Sequence, residues 1–224
     1  MADTVSRFRT GTQQRGEDTR RRILDAALEL FGKEGFEGAS TRSLAERAGV
    51  NLPAIQYYFG SKEGLYRAVV EEIIQDMDTH VGPAAAQIHV ELAAGHRARA
   101  ELIGLLADLI DVVLALMLDG DPDTRQARQQ FFARMEAEPD AAFEALQASM
   151  IRNVCAPSCA LIGALTGRPA DDEQVLLRAM TLIGQAKIFC GWSVAGVLRW
   201  DSITEDRVRT VQTLIRSQIQ AIFA

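Results

Sequence analysis

Apolar residues recur at three- and four-residue spacing along almost the whole chain, and alternating runs rich in Val, Ile and Thr are absent. That pattern predicts an all-α protein. Ile23, Ala26, Ala27, Leu30 and Phe31 form one stripe of a first helix over about 18–33, with Gly35 just past its end. A short helix follows over 41–48, opened by Ser40 as N-cap and stopped by Gly49. Another spans 52–59, with Asn51 as N-cap and Pro53 in the first turn, where a missing N–H costs nothing. Gly60 and Ser61 break the chain, and Ser61 caps a fourth helix, Glu63 in its first turn, that runs to about His80 before Gly82 and Pro83. Further helices are predicted over 84–94 and at about 96–118, 122–137, 140–166, 171–199 and 204–223, separated by turn-forming Gly, Pro and Asp. Pro157 falls inside one of them, removes a backbone bond and bends it, which can open room for a pocket.

Three regions follow from this pattern. Residues 1–16 are polar, Gly-containing and without periodicity, and are expected to stay disordered until something binds them. Residues 17–65 form a three-helix N-terminal head, joined by the helix that reaches about 80 to a helical body over 84–224. Charge sharpens the division. The chain carries −6 overall, but residues 1–70 hold 11 Lys and Arg against 9 Asp and Glu, leaving 13 against 21 for the rest. Arg7, Arg9, Arg15, Arg20, Arg21 and Arg22 make a basic arm ahead of the first apolar stripe. The apolar run from Leu102 to Leu118 is interrupted by Asp108 and Asp111, so it reads as a buried helix and not a membrane span. No secretory leader is evident, and three cysteines (Cys155, Cys159, Cys190) suit a reducing compartment. A cytoplasmic location without a membrane partner is expected.

The stretch from Thr41 to Phe59 carries the chemistry. Two helices joined by a tight turn need a small residue where they cross, Ala45, and a residue that tolerates positive φ at the turn, Gly49. Leu44, Ala48, Val50, Ile55 and Tyr58 supply the apolar faces that fix the angle. Leu52, Pro53, Ala54, Gln56 and Tyr57 are left facing outward at the start of the second helix, the end that enters a DNA major groove in a helix-turn-helix. Ser61 and Lys62 open a helix whose free N–H groups favour an anion, which suits a backbone phosphate.

The sequence RRILDAALELFGKEGFEGASTRSLAERAGVNLPAIQYYFGSKEGLY resembles the tetracycline-repressor (TetR) family through its Ala-Ala-Leu first helix, Gly-Phe turn, Ala-Gly-Val turn and Tyr-Phe-x-Ser-Lys-Glu exit. The resemblance implies a homodimeric repressor that binds a palindromic double-stranded operator and releases it when a small-molecule effector enters the body. Carried over, it turns Thr41, Arg42, Leu52, Pro53, Ala54, Gln56, Tyr57 and Tyr58 toward DNA and sets Lys62 on a phosphate. Where the family often has a phosphate-binding Tyr this chain has Gln56, which can also bond adenine N6 and N7. Arg42 either reads guanine or is a solvated surface residue.

The segments FFARMEAEPDAAFEAL, LTGRPADDEQ and AMTLIGQAKIF resemble the body of the CecR-like subgroup. The resemblance implies dimerisation through the last two long helices, whose stripes are Leu176, Leu177, Met180, Ile183 and Val208, Val211, Leu214, Ile215, Ile219. Gly184, Gly191 and Gly196 would let backbones approach. Met117, Phe131, Phe132, Met135, Met150, Cys155, Phe189 and Trp192 are candidates to line an effector cavity, with plain core as the alternative for each. Cys155 and Cys159 share a helix face, but His80, His89 and His96 show no ligand spacing to them, so no metal and no cofactor is expected. No catalytic motif is present, which excludes an enzyme and leaves a helical protein-binding adaptor as the competing class.

Overall fold

A computed structural model describes residues 2–95, 98–189 and 197–224, with side chains from Gln14 onward. His96, Cys190, Gly191, Trp192 and Gly196 lie outside the described residues. The described residues form helices and turns, as their periodicity predicts: α1 (Ala2–Gly38), α2 (Thr41–Ala48), α3 (Leu52–Phe59), α4 (Lys62–His80), α5 (Gly82–Ala94) and α6 (Arg99–Leu118). Then come α7 (Pro122–Ala137), α8 (Ala141–Met150), α9 (Ala156–Thr166), α10 (Glu173–Ile188) and α11 (Glu205–Phe223).

Two of these differ from expectation. Residues 2–16, expected to be disordered, continue α1 as helix. No proline interrupts them, and adding residues to an existing helix avoids the unfavourable nucleation step. At the other end, Gly35 (φ 77°) kinks α1 where the stripe stops. The predicted helix over 140–166 is continuous, but its middle, Ile151–Cys155, is a π-helical turn closed by the Ala156 N–H on the Ile151 carbonyl. Pro157 explains it: without an N–H, and with a ring crowding the carbonyl four residues back, it widens the turn ahead of it.

The chain folds as two compact units, residues 1–72 with 127–142 and residues 73–126 with 143–224. In the first, α1 buries Ile23, Ala27 and Phe31, α2 buries Leu44, and α3 buries Ile55. Phe131 and Met135 of α7 are likewise buried in it. Arg134 holds the segment to the end of α1: its Nε and Nη2 donate to the Gly32 and Lys33 carbonyls, each at 2.8 Å. Those carbonyls lie just ahead of the Gly35 kink near the C-terminal end of α1, where a cation is favoured.

The second unit is built around α6, against which α5, α9, α10 and α11 pack. Leu106, Leu109, Ile110 and Leu114 are fully buried there, each stabilising by about 1.5–3 kcal/mol relative to exposure. Asp108 and Asp111 are tolerated in α6 because Arg216 of α11 pairs with both, at 2.7 Å from Asp108. Burial still pushes the Asp111 carboxyl above the usual range, with Arg216 opposing. Arg99 donates to the Phe223 carbonyl at 2.7 Å and the Leu165 carbonyl at 2.8 Å, tying together the ends of α11 and α9.

Candidate nucleic-acid interface

The α2–turn–α3 arrangement is fixed by local hydrogen bonds. Ser43 N–H donates to Ser40 Oγ at 3.0 Å and Ser40 N–H to Ser43 Oγ at 3.1 Å, which satisfies two otherwise unpaired amides at the start of α2. The sequence pointed to Ser40 alone, because the reciprocal partner is usually Glu or Gln. Gly49 adopts φ 63° and ψ 39°, the left-handed conformation the turn requires. The Val50 N–H then closes on the Ala45 carbonyl at 3.0 Å. Asn51 Oδ1 accepts from the Ala54 N–H at 3.1 Å and starts α3. Leu44, Ala45, Ala48 and Ile55 are buried beneath the turn.

Gly64 sets the exit from α3. A β-carbon on it would stand 2.0 Å from the Phe59 carbonyl oxygen, so only glycine lets the first turn of α4 pass this close to the end of α3. Ser61 caps that turn by accepting from the Gly64 N–H at 3.0 Å. Glu63 lies lower than the ordinary carboxylate range, held there by its own backbone N–H and the Ser61 hydroxyl.

The expected DNA-facing residues divide by exposure. Arg42, Leu52, Pro53, Gln56 and Tyr57 are exposed, Leu52 at 52% and Tyr57 at 82%. Thr41 and Ala54 are half-buried. Tyr58 is half-buried too, its hydroxyl beside Gly16 of α1 and its ring edge-on to Tyr57 at 5.0 Å, so it supports Tyr57 from behind. Lys62 is half-buried, with its ammonium 4.4 Å from the centroid of the Phe36 ring.

The cations around this face are only loosely held. Arg42 pairs with Glu46 at 3.0 Å, both well exposed, and an exposed pair of this kind is worth at most about 1 kcal/mol. Arg20 and Arg21 pair with Glu72 at 3.4 and 3.0 Å, and Arg47 pairs with Glu29. Arg15 and Arg22, which the sequence placed in the basic arm, enter no ion pair among the described residues.

The candidate effector residues are dispersed. Phe131 and Met135 line a cleft of about 640 Å3 in the first unit, where Phe132 is half-buried on the same helix. Met117 and Phe189 are partly buried against the core of the second unit, Cys155 is half-buried in it and Met150 is exposed. Burial pushes the Cys155 and Cys159 thiols up, so both stay protonated at neutral pH.

The expected dimerisation stripes are split as well. Leu176, Leu177, Met180 and Leu214 are exposed, Ile183 and Val208 are partly buried, and Val211, Ile215 and Ile219 are core. Gly184, exposed on α10, has no neighbour near the position of a β-carbon among the described residues.

Comparison with known proteins agrees with this geometry. Residues 23–69 match the family described as bacterial regulatory proteins, tetR family. Residues 102–224, more than half the chain, match the C-terminal domain of the HTH-type transcriptional dual regulator CecR. The Shigella flexneri protein named HTH-type transcriptional dual regulator CecR is 29% identical over 210 residues, covering 93% of this chain and 92% of that protein. The HTH-type transcriptional repressor NicS of Pseudomonas putida is 37% identical over 101 residues, 45% of this chain and 46% of its own. Among solved structures, the TetR family regulator PfmR of Thermus thermophilus superposes with a TM-score of 0.59 at 15% identity, over 90% of this chain and 97% of that one.

Proposed function

Because the chain belongs to the TetR family of DNA-binding transcriptional regulators and carries a CecR-type C-terminal domain, we propose that it is a dimeric repressor, released from a palindromic operator by a small molecule. One observation carries the DNA half of this reading. α3 presents Leu52, Pro53, Gln56 and Tyr57 to solvent on a turn fixed by hydrogen bonds at both sides, and Tyr57, though braced edge-on by Tyr58, leaves most of its ring in water on a rigid helix, a surface that a partner would cover. Gln56 supplies a base-reading or phosphate-binding amide among them. Arg15, Arg22 and Arg42 supply charge for the backbone, and the Ser61–Lys62 helix start supplies a further phosphate site.

Exposed Leu176, Leu177 and Met180 on α10, with Leu214 on α11, support a two-fold interface. For an effector, Ser158 Oγ and Gln185 Oε1 are buried without a hydrogen-bond partner among the described residues, both in the second unit. Buried polar atoms of this kind are usually satisfied by something, and a ligand in the body would serve. The protein would act where DNA is, in the cytoplasm. As a transcriptional regulator it is not an enzyme.

The test is selection of random duplexes by the full-length protein at moderate salt. An enriched palindrome with half-sites about 10 base pairs apart, or a multiple, is expected. Recovery of unrelated or non-palindromic duplexes would end the dimeric-operator reading.

A further inference from the structure

Phe131 does more than fill the first unit. With Phe31 and Phe36 of α1 and Tyr66 of α4 it walls the cleft of about 640 Å3, a volume suited to a drug-sized molecule. Tyr66 meets two of them edge to face, with Phe31–Tyr66 centroids 5.4 Å apart at 78° and Phe36–Tyr66 centroids 5.3 Å apart at 73°, while Phe31 and Phe36 stack at 5.9 Å and 29°. Tyr66 and Phe131 follow at 5.6 Å, tilted by 55°. Aromatic faces carry the negative side of the ring quadrupole, and one of these rings already attracts a cation, since Lys62 stands over Phe36.

The rim adds charge of the same preference. Glu34, Glu37, Glu63, Glu138 and Asp140 line the cleft, against the guanidinium groups of Arg67 and Arg134. Arg134 is already engaged with the Gly32 and Lys33 carbonyls. Glu34, Glu37 and Glu138 enter no ion pair among the described residues. Burial, then the Asp140 carboxylate, pushes the Tyr66 phenol up to about 12, so this wall stays neutral across the physiological range. An aromatic cavity with a carboxylate rim disfavours anions and gives a neutral ligand nothing to offset the rim's mutual repulsion.

We infer that this cleft binds a hydrophobic organic cation, a compact apolar body carrying one delocalised positive charge. The inference uses only residues of the first unit and needs no operator, so it stands or falls separately from the DNA reading. Calorimetric titration of the full-length protein with tetraphenylphosphonium and with tetraphenylborate separates charge from shape, because the two ions are nearly the same size and opposite in sign. The phosphonium is expected to bind once per chain and the borate about tenfold more weakly or not at all. Joint Glu37→Gln and Glu138→Gln substitution, at exposed positions, should weaken the phosphonium about five- to tenfold while leaving the thermal midpoint near that of the parent. Ala141→Trp, at an exposed residue on the cleft wall, should fill the space and abolish binding. Equal binding of both ions, no phosphonium binding at millimolar concentration, or phosphonium binding that survives both sets of substitutions would each overturn the assignment.

Discussion

Lys62 stands over an aromatic ring, so the free protein already holds its ammonium near the start of α4 instead of leaving it to sample solvent. A preordered cation loses less side-chain entropy when it meets a phosphate. Lys62→Ala should therefore weaken binding to all duplexes alike and reduce the salt slope by about one, as measured by fluorescence anisotropy across a salt series. Gln56→Ala should instead change the ranking of operator variants. A uniform loss across those variants would assign Gln56 to the backbone. At this scale the sequence was readable wherever the signal is local: Ser40, Gly49 and Asn51 announce caps and a turn by their own chemistry. Ser43 and Gly64 were not readable. The first plays a part normally given to Glu or Gln, and the second is required only because the Phe59 carbonyl comes within reach of its missing β-carbon.

Among elements, the predicted bounds of α2, α3 and α7 match those observed, because each is bracketed by Ser, Asn, Gly or Pro with a specific role at a helix end. The π-helical turn ahead of Pro157 was legible only as a bend. Residues around the start of that turn also meet a carboxylate of another helix, a contact that periodicity does not reveal. Asp78 near the end of α4 accepts from Asn153 Nδ2 at 2.6 Å, Ser149 Oγ at 3.1 Å and Arg152 Nη2 at 2.8 Å. Burial raises the Asp78 carboxyl, but hydrogen bonds from Arg152, Asn153 and Ser149, together with the Arg152 charge, bring it below the ordinary value. A carboxyl lowered on folding stabilises above its unfolded pKa, and that contribution fades as pH falls through the folded one. Asp78→Asn should thus lower the urea midpoint at pH 6–7, and the gap from the parent should close below about pH 4. A gap independent of pH would mean that the carboxylate charge contributes nothing to the cluster.

For the molecule as a whole, the exposed apolar residues of α10 and α11, Leu177 and Leu214 among them, are the feature most easily misread from sequence. The apolar stripes of α10 and α11 contain both core and surface positions, and Ile215 and Ile219 look identical to Leu214 until burial separates them. Joint Leu177→Glu and Leu214→Glu substitution should yield a monomer in sedimentation equilibrium with helicity retained and palindrome affinity lost. A variant that still sediments as the parent does would overturn this interface. The compact unit that carries α2 and α3 also has a history written into its covalent order. Its wall is completed by residues 127–142, more than fifty positions downstream of its main segment, with Phe131 buried in it and Arg134 gripping the end of α1. A chimaera that exchanges residues 1–80 between relatives therefore transplants a reading head without its own keystone, and inherits one shaped for another protein. Lineages that swap operator specificity must carry both stretches together or let the two coevolve.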